Sequence, residues 1–215
     1  MLYGIIMGLD GLNATQILRY NGAFQRSVGL PRLPDTMALR RFLKRLRPRH
    51  IRQLVRPHEQ LRQALFGRPR SRSSRVFDLD SVVLVLYGHA EGAQAGYNPK
   101  QRGRRSYLPL LCFDGVTRDV WAGSLHAGNT HVTSVTLPLL GEAWAKLPPT
   151  AREVRARADG AFFDHKLVEW LEARGARYVI VARLTAPIQH RVSTLRYARV
   201  SGTVAAAEFR YQPQG

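Results

Sequence analysis

Through the first third of the chain, apolar residues recur every three or four positions. Leu39, Phe42, Leu43 and Leu46 follow a Pro34-Asp35-Thr36 start signal, and that spacing predicts a helix. Ile51, Leu54 and Val55 begin a second helix, which Pro57 should restart or kink. The apolar opening, residues 1–9, also reads as a helix: no positive stretch precedes it, Asp10 interrupts it, and no cleavage site follows. After residue 74 the texture changes to β-branched runs at 76–87, 107–113 and 120–125, separated by glycine-rich and charged turns. These runs predict three consecutive antiparallel strands. A helical pattern over 131–146, a strand at 154–158, a helix over 164–174 and a strand at 178–184 follow. From residue 189 onward the sequence is polar and β-prone, with no closing helix.

Three strands followed by alternating helix and strand predict a mixed α/β sheet. The expected division is a basic helical segment (1–74), a sheet-bearing core (75–187) and the start of another unit (188–215). The stretch 67–74, GRPRSRSS, has linker chemistry at the first boundary. With 215 residues the chain can bury a sizeable core without staples. Its single cysteine, Cys112, excludes a disulfide framework and a Cys-rich metal module, and fits a reducing cytoplasm. The longest clean apolar stretch, 82–87, is far too short to cross a bilayer.

Charge narrows the partners. Lys and Arg number 33 against 15 Asp and Glu, a net of +18, and such a surface seeks polyanions. Only four of the 33 are lysine, so planar arginine forks dominate, although a GC-rich genome would also favour arginine. Between residues 40 and 75 stand thirteen Lys or Arg and one acid, Glu59, which concentrates the positive field near one end. Arg40, Arg41, Lys44, Arg45 and Arg47 lie in this region and are candidate DNA contacts. A second basic stretch, GYNPKQRGRRSY, interleaves Lys100, Arg102, Arg104 and Arg105 with Tyr97 and Tyr107, the mix expected on a nucleic-acid track. A solvated basic turn would look the same. An anionic membrane would call for an amphipathic helix with bulky apolar anchors, so no membrane partner is expected.

Candidate chemistry centres on aspartates. Asp78 and Asp80 share one face of an otherwise apolar strand, because side chains alternate with period two. A carboxylate there needs a metal or another cation to offset its desolvation. Asp159 ends a second apolar strand, VRARADG. If the two strands are neighbours, their acids meet at one edge of the sheet, and oxygen-only ligands suit Mg²⁺ or Mn²⁺. Alternatively, Asp78 marks an exposed strand beginning and Asp159 caps the next helix. His126 and His131 bracket a loop without a third ligand at metal spacing, and hydrogen-bonded loop histidines are expected. No Walker loop, nucleophile elbow or dinucleotide fingerprint occurs.

Four blocks carry a resemblance: DLDSVVLVLYG, EGAQAGYNPKQRGRRSYLPLLCF, AGSLHAGNTH and RADGAFFDHKLVEWLEARGARYVI. In order and spacing they are similar to bacterial insertion-sequence transposases of the DDE type, and the likeness runs from about residue 30 to the last residue. The resemblance implies a ribonuclease H-like core with a strand-rich insertion, here beginning at 188–215. It also implies Mg²⁺- or Mn²⁺-dependent cleavage of a DNA phosphodiester, freeing a 3′ hydroxyl that attacks a target strand. Position by position, the first catalytic and metal-ligating aspartate falls on Asp80 and the second on Asp159, with Asp78 a neighbour rather than a ligand. Val82 stands where the family often has threonine, Leu108 where histidine is common, and Gly160-Ala161 where Ser-Gly is usual. The family's third acid, a glutamate beyond the insertion, has no counterpart; Glu169, Glu172 and Glu208 occupy other elements. The resemblance thus implies a truncated, inactive copy of a cytoplasmic, nucleoid-associated bacterial transposase, with DNA and a second copy or a full-length transposase as partners. The alternative is a non-catalytic DNA-binding remnant that competes with the full-length enzyme.

Overall fold

The computed structural model describes residues 2–66, 73–98 and 100–211. Two compact units divide the chain, residues 1–65 and 66–215. The linker-like stretch 67–74 falls almost wholly outside the described residues.

The first unit is helical: α1 (Leu2–Ile6), α2 (Gly11–Ala14), α3 (Gln16–Arg19), α4 (Gly22–Ser27), α5 (Thr36–Lys44) and α6 (Pro48–Phe66). Asp35 caps α5, its side chain accepting from the Ala38 amide at 2.7 Å, as the Pro-Asp-Thr signal predicts. Leu39 turns inward, and Leu18 is the other buried leucine among the described residues of this unit. The second predicted helix starts earlier than its apolar spacing suggests, at Pro48, and runs through Pro57 without ending. Proline is well suited to a first helical position, because the N–H it lacks is unpaired there anyway. No helix among the described residues is long and apolar enough to cross a membrane.

The second unit is a mixed sheet with helices. Its elements are β1 (Ser74–Ser81), β2 (Leu84–Val85), β3 (Gln94–Ala95), β4 (Arg105–Asp114), β5 (Val120–Ala127), α7 (Val132–Ala145), β6 (Glu153–Ala158), α8 (His165–Glu172), β7 (Arg177–Ile180), α9 (Ala186–Ser193), β8 (Ala198–Ser201) and β9 (Val204–Ala206). Among the described residues the principal strand order is β5, β4, β1, β6, β7. β1, β4 and β5 pair antiparallel, whereas β1–β6 and β6–β7 are parallel. Three antiparallel strands followed by alternating helix and strand form the mixed α/β architecture of the ribonuclease H-like reading.

One sheet face is apolar and covered. Phe77 and Leu79 of β1, Leu108, Leu110 and Cys112 of β4 and Ala156 of β6 pack against Leu139, Leu140 and Ala143 of α7 and Leu167 and Leu171 of α8. The period-two alternation of β1 therefore sends Asp78 and Asp80 to the opposite face. The run at 76–87 is two strands rather than one: residues 82–83 separate β1 from β2, although the Val82 amide still donates to Pro109 O and both strands pair with β4 in the same register. The β-prone tail also differs. Residues 186–193 are helical, with Pro187 in the first turn, and only then does the β8–β9 hairpin follow.

Candidate functional site

Asp80, still paired with Leu111 of β4, and Asp159, the first residue beyond β6, follow the last matched pair of the β1–β6 ladder. Parallel β1 and β6 stay in register up to Leu79 opposite Ala158, so the next residue along each chain segment is one of these aspartates. Neighbouring strands lie about 4.8 Å apart, which puts the two carboxylates at the carboxyl ends of adjacent parallel strands. Both line an open cleft of about 680 Å³ together with Asp78, Arg118, Arg157 and Val179. One oxygen of each is tied to its own chain: Asp80 Oδ1 accepts from the Ser81 amide at 2.8 Å, and Asp159 Oδ1 from the Ala161 amide at 2.9 Å. Those contacts leave the Oδ2 atoms available. The helix that follows is capped by Asp164, which accepts from the Lys166 amide, and not by Asp159.

The cation that offsets Asp78 is a side chain. Arg157, opposite Asp78 on β6, donates both Nε and Nη2 to its two carboxylate oxygens at 2.6 Å. Hydrogen bonding to Asp78, and then its charge, raise the Arg157 guanidinium above its ordinary value. The β4–β5 turn folds over this pair at Gly115, where an added Cβ would stand 2.8 Å from Arg157 Nη2 and 2.9 Å from Asp78 Oδ2. Its anchor is Asp114, whose Oδ2 accepts from Arg75 Nη1 at 3.0 Å and whose Oδ1 accepts from the Val116 and Thr117 amides. Arg75 in turn lies over the Trp121 ring, 5.6 Å from its centroid.

Two carboxylates with free oxygens suit a hard cation such as Mg²⁺ or Mn²⁺, which is commonly held by one or two carboxylates plus substrate phosphates. Among the described residues no group of three Asp, Glu, His or Cys side chains forms a metal site. His126 hydrogen-bonds Ser124 Oγ at 2.8 Å through Nε2, and His131 flanks the start of α7 without a side-chain capping bond.

The basic candidates fall in both units. Arg40, Arg41 and Lys44 lie on α5, Arg45 caps its carboxyl end and Arg47 precedes α6; all five are exposed. In the second unit Lys100, Arg102 and Arg104 are exposed on the loop between β3 and β4, Arg105 is exposed at the start of β4, and Arg104 lies over the Tyr87 ring. Buried Asn98 shapes that loop by accepting from the Lys100 and Gln101 amides at 3.1 and 3.2 Å. At its root Gly96 runs so close to Gly128 that a Cβ would land on the Gly128 carbonyl. Sequence reasoning missed Arg118, Arg157 and the Arg75–Asp114 pair. The alternation in VRARADG was the available signal for Arg157, since it places Arg155 and Arg157 away from the core face.

Residues 1–214 match the sequence family described as Transposase DDE domain group 1, and the chain belongs to that family. Comparison with curated protein sequences gives no match. Among solved structures, the chain is similar to a piggyBac transposase synaptic complex with hairpin DNA at 17% identity, covering 56% of this chain and 26% of that one, with a TM-score of 0.39. It is also similar to a Mos1 transposase paired-end complex with the left transposon end at 12% identity, covering 86% and 58%, with a TM-score of 0.37. A Mos1 mariner paired-end complex with Mn gives 13% identity, 89% and 62% coverage and a TM-score of 0.35. The chain thus spans less than two thirds of each of these solved transposases.

Proposed function

We propose that the chain works on DNA in transposition, with Asp80 and Asp159 as the ligands of a catalytic Mg²⁺ or Mn²⁺. The observation that carries this reading is the placement of both aspartates, one step past the last matched pair of the neighbouring parallel strands, in one cleft. When bound, such a cation supplies activation of an attacking hydroxyl and neutralisation of the leaving oxygen. The chain's own residues do the rest: the Ser81 and Ala161 amides orient the two carboxylates, and Arg157 neutralises Asp78 so that it does not compete for the cation. Arg40, Arg41, Lys44, Arg45 and Arg47, with Lys100, Arg102, Arg104 and Arg105, take the DNA backbone.

Two carboxylates fix a metal less firmly than three, so these 215 residues by themselves are expected to hold metal weakly and to cut DNA little or not at all. Purified protein with labelled transposon ends and Mg²⁺ or Mn²⁺ tests this: robust cleavage abolished by Asp80→Ala would overturn the claim of inactivity while supporting the site. The exposed basic residues favour a second role, a DNA-binding competitor of a full-length transposase. That role predicts salt-sensitive DNA binding that survives loss of both aspartates.

A further inference from the structure

Arg118 lies in the same cleft as Asp80 and Asp159, yet its guanidinium makes no ion pair or hydrogen bond with any described residue. Its neighbour Arg157 donates through Nε and Nη2 to Asp78, so the two cleft arginines are in different states. Arg118 is also the non-glycine residue held at positive φ, 62°, among the described residues. In that region Cβ crowds the backbone, and glycine or asparagine would sit there more comfortably. The turn leaves no choice: Arg118 N–H donates to Asp114 O, the Asp114 amide to Asp119 O, and the Gly115 amide to Val76 O at 2.7 Å. The buried Arg75–Asp114 pair and the contact of Gly115 with the Asp78–Arg157 pair fix it from below. A strained backbone held this firmly presents one charged fork to the cleft that Asp80 and Asp159 also line, with no described residue taking its N–H donors.

From this juxtaposition we infer that Arg118 is the phosphate-binding residue of the cleft, taking a non-bridging oxygen of the DNA phosphodiester that lies against Asp80 and Asp159. The inference rests on the reading of the cleft given above and adds the group that receives the substrate's charge. A planar guanidinium matches a phosphate with two parallel N–H donors, and its positive charge offsets the repulsion between phosphate and carboxylates.

The experiment is fluorescence anisotropy of a labelled DNA duplex with the full chain, titrated with KCl, with and without millimolar Mn²⁺. Wild-type protein is expected to bind more tightly with Mn²⁺, and Asp80→Asn to lose that gain. Arg118→Gly is expected to lose about fivefold in affinity with Mn²⁺ and to lower the salt slope by about one. Arg118→Lys should recover part of the loss. Arg118→Gly should also melt at or above the wild-type temperature, because glycine relieves the strain at φ 62°. Arg102→Ala, outside the cleft, should weaken binding equally with and without Mn²⁺. If Arg118→Gly binds like the wild type while Asp80→Asn loses the Mn²⁺ gain, the role of Arg118 is refuted and the site stands. If wild-type protein gains nothing from Mn²⁺, the site reading fails and this inference with it.

Discussion

The Arg75–Asp114 ion pair gives the sharpest test of how the cleft is built. Its side chains are 8% and 1% exposed, so both charges lie out of water and each depends on the other. Replacing Asp114 by alanine strands the Arg75 guanidinium and removes the acceptor of the Val116 and Thr117 amides. Breaking a buried pair from one side costs about 3 to 5 kcal/mol. In a protein of this size each kcal/mol moves the melting temperature by about 2 to 4 °C, so a fall of roughly 10 °C is expected. Trp121 lies under Arg75, and Trp121, Trp144 and Trp170 all belong to the second unit, so tryptophan fluorescence reports that unit's unfolding. Asp114→Asn keeps an acceptor for the turn amides and should fall between the two. The double replacement Arg75→Met with Asp114→Leu removes both charges and should melt above Asp114→Ala, since no unpaired ion remains. If Asp114→Ala melts within about 2 °C of the wild type, or the double variant is worse than the single, the pair is not a buried mutual dependency.

Three further outcomes are expected. The Asp78–Arg157 bond is bidentate but partly exposed, so a double-mutant cycle with Asp78→Asn and Arg157→Gln should give a coupling of about 1 kcal/mol or less that shrinks in high salt. The Ala38 amide holds the Asp35 carboxyl below its ordinary range. Its contribution to α5 is therefore complete above the unfolded value near 3.9 and is lost as pH falls through the lower folded one; circular dichroism of wild type and Asp35→Asn should converge only below about pH 4. Burial pushes the Cys112 thiol up to about 12, so at pH 8 a disulfide reagent should modify it only at the rate at which the second unit opens. Fast labelling of native protein would contradict the buried position of Cys112.

Local pattern carried the core elements well. The alternation in β1 and β4 and the helical spacing in α7 and α8 each reflect one buried face, which is a property of the segment itself. The pairing of β1 with β6 is not such a property. Nothing in either strand names its neighbour, so the convergence of Asp80 and Asp159 was legible only through the ordered blocks of the family resemblance. Asp114 and Arg75 read as ordinary charges at strand ends, because their burial arises from the turn and from Trp121 rather than from their own segments. Helix α9 was hidden by β-prone neighbours, although Thr185 and Pro187 formed a usable start signal.

The near-collision of Gly96 and Gly128 limits how the basic loop could be re-engineered. Between its root and β4 the tip residues, Lys100 to Arg104, are exposed and can be swapped for other charges at little structural cost. The root cannot: even a methyl group at Gly96 would pry two backbones apart and change the angle at which the whole arm projects. Libraries aimed at altering what this loop grips should therefore vary the fingertips and leave the knuckle alone.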